Sequence, residues 1–219
     1  MLEPRGDKKV LCAGLICLDI LSVMDHYPVE DTDNRDLPEL TFSQFQQLDL
    51  NQYKWIHFEG RNMAEVSQMV NAVQEYNHSR SMEDKINISG ECEKAKYKPE
   101  YFTSTVDVLF IAKEFAQHHG FSSAHAAVDG FHRRAKKGAT VVCAWGEAGA
   151  DVMGPDGVHH HSDAFSPGQV VDTLGAGDTF NGAIIAAMCR SLPLDEVLKF
   201  GCRVAGKKCG QFGYRGLGE

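Results

Sequence analysis

Short apolar runs alternating with helix-length segments constrain this 219-residue chain more than any other feature. Val10–Ile20 is too continuous for an edge strand and too short and glycine-interrupted for a long helix, so it reads as a buried parallel strand ending in a polar loop. Further strand-like runs follow at Lys54–Phe58, Lys85–Ser89, Val106–Ile111 and Ala139–Trp145. Between them, Met63, Val66, Met69, Val70 and Val73 recur at steps of three and four within Asn62–Asn77, which puts them on one helical face. Ser122 or Ser123 can cap a second helix carrying Ala124, Ala127, Val128 and Phe131, with Gly138 stopping it. Strands alternating with helices imply an α/β fold built on a parallel sheet.

After Trp145 the rhythm changes. Ala150–Met153 and Val158–Phe165 flank the turn signal Gly154-Pro155-Asp156-Gly157, which predicts a β-hairpin. The remainder is helical, with one helix starting near Asp178 and running through Met188. A second is opened by Pro193 and Leu194 and closed by Gly210.

Composition narrows the partners. A hydrophobic content of 43% supports a sizeable core in one domain, and a net charge of −8 disfavours nucleic acid and anionic membrane. A small polar ligand is the better expectation. No apolar run approaches the length needed to span a bilayer and the polar opening is no signal peptide, so a cytoplasmic protein is expected. Seven cysteines with no C-x-x-C pair read as reduced, mostly buried thiols. His159-His160-His161 has no carboxylate or cysteine at ligand spacing along the chain, so a solvated hairpin is expected there and no metal site.

The chemistry concentrates in Val171-Asp172-Thr173-Leu174-Gly175-Ala176-Gly177-Asp178-Thr179-Phe180. Two glycines around an alanine just before a helix let the backbone approach a ligand and aim amide N–H groups and the positive helix end at one spot. That is an anion site. Asp178 in the first helical turn can take a proton from an alcohol while the neighbouring amides stabilise a transferring phosphoryl group. The plain alternative is a helix cap after a flexible loop. A dinucleotide fingerprint would need glycine where Phe180 stands, and a Walker loop would need G-K-[ST], which the chain lacks.

Asp172-Thr173-Leu174-Gly175-Ala176-Gly177-Asp178-Thr179-Phe180 resembles the C-terminal signature of the ribokinase-like (PfkB) family of ATP-dependent sugar kinases. Trp55–Asn62, Cys143–Asp151, Gly154–Gly157, His161–Phe165 and Phe200–Gly210 are similar to the ketohexokinase branch of that family. The resemblance covers nearly the whole chain apart from its first residues and a diverged patch near Glu91–Ser104. It implies a ribokinase-like three-layer α/β sandwich with a mainly parallel sheet, in a single domain over 1–219. Residues 1–35 would be the N-terminal strand and lid remnant, and 36–219 the central sheet and ATP-binding portion.

By the same resemblance Gly175, Ala176 and Gly177 form the anion hole and Asp178 is the catalytic base. Lys113 and the loop Gly146-Glu147-Ala148-Gly149 line the ATP site, and Asp19 grips sugar hydroxyls. A polar Asp19 closing a strand also sits where ligands bind in such sheets, although a solvated loop carboxylate reads equally well. Arg61, in a Gly-Arg-Asn loop after another strand, either neutralises a phosphate or sits in solvent. ATP with Mg2+ is the implied phosphoryl donor and a ketohexose such as fructose, phosphorylated at its 1-hydroxyl, the implied acceptor.

The pattern breaks after Arg35. The chain passes directly from Asp31–Arg35 to Asp36–Leu40, where the ketohexokinases carry a long segment holding the sugar-binding asparagines, further core elements and most of the lid. Only Ser22–Asp33 remains as a lid remnant, and the dimer contact that the lid supplies in that branch is put in doubt. Lost strands would leave a sheet edge uncovered. Two functions therefore stand against each other: a carbohydrate kinase, and a catalytically silent nucleotide-binding remnant acting through other proteins.

Overall fold

The computed structural model describes residues 8–13, 39–94 and 100–217. Two compact units divide the chain, Met1–Ile86 and Asn87–Glu219.

In the first unit, strand β1 (Lys9–Ala13) pairs in parallel with β2 (Tyr53–Phe58), after the single turn α1 (Phe42–Phe45) and before α2 (Met63–His78). Thr41 opens α1 with a reciprocal capping box to Gln44, and Phe45 packs its ring against Phe58. The expected helical face of α2 is present: Val66, Met69, Val70 and Val73 are buried. The first run departs from expectation. Its described part is the short β1, in which Val10 is 40% exposed and only Ala13 is buried. Among the described residues β1 has β2 as its one paired neighbour in this unit, so a run apolar enough for a sheet interior stands, among those residues, at the sheet's edge. Residues 14–20 of that run, the expected lid remnant Ser22–Asp33, Cys17 and Asp19 lie outside the described residues.

The second unit holds Lys113, the Gly146–Gly149 loop and Gly175–Asp178. Strands β3 (Asn87–Cys92), β4 (Val108–Ile111) and β5 (Thr140–Ala144) pair in parallel in that order, and β6 (Ala150–Met153) and β7 (His159–Ser162) continue antiparallel as the expected hairpin. Helices α3 (Glu100–Thr103), α4 (Lys113–His118) and α5 (Ala124–His132) fill the crossovers. The third strand begins two residues later than the apolar run suggests because Asn77 engages both backbone groups of Ile86. Ser123 is the cap of α5, accepting from the Ala126 N–H, and Ala124, Ala127, Val128 and Phe131 are buried as expected. Gly138 does not end that helix: α5 stops at His132, and Gly138 turns the loop before β5 at φ +87°.

Helices α6 (Ala176–Met188) and α7 (Leu194–Cys209) close the unit and pack on each other. The start of α6 is Ala176 rather than the neighbourhood of Asp178, because Gly175 takes the left-handed conformation at the cap (φ +66°). Of the described cysteines, Cys92, Cys143 and Cys202 are buried, and burial pushes the Cys143 thiol up to about 12.

Candidate active site

The parallel strands β3, β4 and β5 deliver their carboxyl ends to one side of the second unit, the position at which open α/β sheets bind ligands. A cleft of about 690 Å³ opens there. Phe110, Ile111, Val142 and Ala144 bring the strand ends to it, Lys113 and Glu114 the start of α4, and Ala176, Gly177 and Phe180 the start of α6. Of the residues singled out in the sequence, Lys113, Gly146, Glu147, Gly149, Ala176 and Gly177 all line this one cavity.

Each wall has a local cause. Gly146–Ala148 forms one turn of 3-10 helix between β5 and β6, cinched by Trp145 N–H donating to the Gly149 carbonyl at 2.7 Å and Gly149 N–H to the Gly146 carbonyl at 3.0 Å. Gly149 sits at φ +84°, and a Cβ there would lie 2.0 Å from the backbone oxygen of Ser162. Only glycine lets the loop fold back so close to the hairpin. The Lys113 ammonium stands 5.9 Å over the Trp145 ring, holding a cation at the cleft's edge.

The loop before α6 is anchored from below. Asp172 makes an Asx turn, its Oδ1 accepting from the Leu174 N–H at 3.0 Å, and Ala176 N–H donates to the Thr173 carbonyl. The N–H groups of Val171 and Asp172 both donate to the Cys209 carbonyl at the end of α7, and the Lys208 ammonium donates to Asp172. At the helix start, Thr179 closes the first turn by donating from both N–H and Oγ1 to the Gly175 carbonyl. Gly177, whose first-turn amide has no acceptor within the helix, is a lining residue of the cleft, so the positive end of a thirteen-residue helix lies at its wall.

Asp178 lies in that first turn, with an exposed side chain, one residue past the cleft-lining Gly177. Gly175 supports the turn, and Ala148 belongs to the 3-10 turn; neither they nor Asp178 line the cavity itself. Arg61 belongs to the first unit, where its Nε donates to Glu59 and its side chain borders a small pocket with Asn62, a non-glycine residue at φ +37°. Asp19 lies outside the described residues.

Sequence reasoning passed over several residues at the cleft. Glu91 lines it and accepts from Asn181 Nδ2 at 2.8 Å, linking β3 to the second turn of α6. Phe165 and Val170, 47% and 62% exposed, give it apolar walls. Lys208 was hidden in a Lys207-Lys208 pair that reads as solvated charge in a last helical turn, yet it is fully buried. At His159–His161 the expected hairpin is present and His161 is exposed, but the row is not simply solvated. Asp151 faces His161 directly across the β6–β7 pairing and His159 diagonally, so a buried carboxylate meets both rings at 3.2 and 2.6 Å.

Comparison with known proteins places this geometry. Residues 30–217 match the pfkB family carbohydrate kinases. Ketohexokinase from Mus musculus is 34% identical over 295 aligned positions, spanning 96% of this chain and 99% of the relative. Those 295 positions exceed what 96% of a 219-residue chain can occupy, so the relative has positions with no counterpart here. Among solved structures, adenosine kinase from Sinorhizobium meliloti matches with a TM-score of 0.64 at 22% identity, covering 81% of this chain and 55% of that one. Arabidopsis thaliana ribokinase, solved with ribose and ATP, matches with a TM-score of 0.62 at 19% identity, covering 75% of this chain and 52% of that one. The chain thus spans little more than half the length of the solved structures it resembles, and these likenesses show a shared ribokinase-like α/β fold with a mainly parallel sheet. With the family match covering residues 30–217 and a relative 34% identical over 96% of the chain, the chain belongs to the pfkB family of carbohydrate kinases.

Proposed function

We propose that the second unit binds ATP and that Asp178 serves as the base for phosphoryl transfer to a ketohexose such as fructose, at its 1-hydroxyl. The observation that carries this reading is the convergence of Lys113, the Gly146–Gly149 loop and the start of α6 on one cleft. The polyphosphate belongs at the N-terminus of α6, where the Gly177 amide and the helix dipole favour negative charge, with Lys113 as a mobile cation. The base of the nucleotide belongs between Phe165 and Val170, since a planar apolar ring gains most where exposed apolar side chains can close on it.

Asp178 accepts the proton of the acceptor hydroxyl as its oxygen bonds to the γ-phosphorus and the bond to ADP breaks. The cleft also suits magnesium, because Glu91 and Glu114 are hard oxygen donors on its wall, few enough to leave most of the coordination shell to phosphate oxygens and water. When bound, that ion neutralises charge building on the phosphates.

One finding favours the silent-remnant reading in part: the ketohexokinase relative has positions with no counterpart here. The resemblance implies that they fall after Arg35, where that branch carries its sugar-binding segment. Correct placement of a nucleophile is worth about 7–11 kcal/mol, so transfer to fructose is expected to run several orders of magnitude below that of a complete ketohexokinase. Mass-spectrometric detection of fructose 1-phosphate, formed from ATP, Mg2+ and fructose, tests the reading. Slow product formation that disappears in Asp178→Asn supports it. ADP release insensitive to fructose, with no sugar phosphate formed, favours the silent remnant.

A further inference from the structure

We propose that His125, Asp151 and His159 form a binding site for a divalent transition-metal ion of the zinc class, separate from the nucleotide cleft, which none of the three lines. The residues come from three elements: His125 from the first turn of α5, Asp151 from β6 and His159 from the start of β7. Their donor atoms all lie within 4.8 Å of one another. His125 Nδ1 is 3.0 Å from His159 Nε2, which is itself 2.6 Å from Asp151 Oδ1.

This arrangement is poorly satisfied by hydrogen bonds alone. Nε2 has one in-plane position, filled by either a proton or a lone pair. With a proton it must divide one donation between the carboxylate and the His125 nitrogen; with a lone pair it faces a carboxylate oxygen. A cation that takes one lone pair from each residue satisfies all three. Zinc binds imidazole nitrogen and carboxylate oxygen at about 2.0–2.2 Å, and tetrahedral ligands at that radius stand about 3.3 Å apart. The two His159 spacings need to open by only a fraction of an ångström, and the third pair already lies within 4.8 Å.

Two imidazoles and one carboxylate leave a fourth position for water. His125 is exposed, which gives the ion a way in, while Asp151 is only 5% exposed and supplies the charge that a neutral trio would lack. The other Asp151 oxygen is 3.2 Å from His161 Nδ1, an outer contact of the kind that orients ligating carboxylates. His160 pairs with Val152, on the opposite face of the strand, and cannot join.

The test is titration of the purified full chain, with no nucleotide present, using zinc by calorimetry and cobalt by absorption. One ion per chain is expected, with the visible bands of tetrahedral cobalt and no thiolate charge-transfer band. His125→Ala and His159→Ala should each weaken binding at least about tenfold, since losing even an outer-sphere partner costs about 10–100-fold, and His160→Ala should change nothing. Circular dichroism on each variant checks the fold; exposed His125 can be replaced by alanine, a good helix former, without disturbing α5. No saturable zinc binding, or binding unchanged in both His125→Ala and His159→Ala, or an equal loss in His160→Ala, would overturn the proposal.

Discussion

The Lys208 ammonium, buried completely at the end of α7, lies 2.7 Å from Oδ2 and 3.1 Å from the backbone oxygen of Asp172. It therefore fixes the residue whose Asx turn leads into Gly175. Lys208→Met keeps the buried stem but removes the donor, so the loop before α6 should loosen while the helices remain. A charged hydrogen bond of this kind is worth about 1.5–3 kcal/mol, and ATP affinity should fall by roughly tenfold or more. Calorimetry beside circular dichroism separates this from unfolding, and unchanged affinity would remove Lys208 from the positioning of the loop.

Acid should destabilise the protein in two stages. Burial, opposed by the charge of Glu59, lowers His57 from 6.5 to about 4. The unfolded chain therefore takes up a proton first, and stability falls as pH drops from about 6.5 towards 4, then levels off for this group, by at most about 3 kcal/mol. Asp172 acts below that range. Its carboxyl is held under the ordinary 3.8 first by the Lys208 hydrogen bond and then by the Leu174 N–H, so its contribution is present above 3.8 and is lost as pH falls further. Urea unfolding between pH 7 and 3 should show the first stage disappear in His57→Gln, and an unaltered profile would contradict the assignment.

Two glycines should differ sharply in tolerance. At Gly175 (φ +66°) an added Cβ meets the Tyr214 hydroxyl, the tip of a side chain 57% exposed and able to swing away. What remains of Gly175→Ala is mainly the left-handed backbone, about 1–2 kcal/mol. At Gly149 the Cβ would strike the Ser162 carbonyl, backbone within a paired hairpin, so Gly149→Ala should be the more destabilising and should also reshape the Gly146–Gly149 loop. Thermal unfolding of both variants checks the order.

Asp178→Asn keeps the size of the side chain but cannot take a proton. Any measurable sugar phosphorylation should drop by about 10²–10⁴-fold while ATP affinity stays within a few fold. Full activity in this variant would exclude Asp178 as the base.

Local signals made the second unit readable. Alternating apolar runs, the Gly154–Gly157 turn and the Ser123 cap each act over a few residues, and each appears in the structure close to where the chain suggested, with strand boundaries shifted by a few residues. What escaped depends on contacts between distant segments. Lys208 looks solvated until the 171–172 backbone folds over it, and the His159 row looks solvated until Asp151 pairs across the hairpin and α5 brings His125 alongside. Glu91 falls in a stretch that matched the family poorly, and its place at the cleft shows only once β3 and α6 come together, where it accepts from Asn181. The first apolar run paired in parallel as expected but is largely exposed in its described part, because apolar character shows what a strand can bury and not where it stands in the sheet.

The most direct test of the central claim is calorimetric titration of folded protein with ATP and Mg2+. We expect one saturable site per chain, weakened in Gly149→Ala and Lys208→Met and retained in Asp178→Asn. No heat of binding from protein whose circular dichroism shows the α/β fold would contradict a nucleotide site in the second unit.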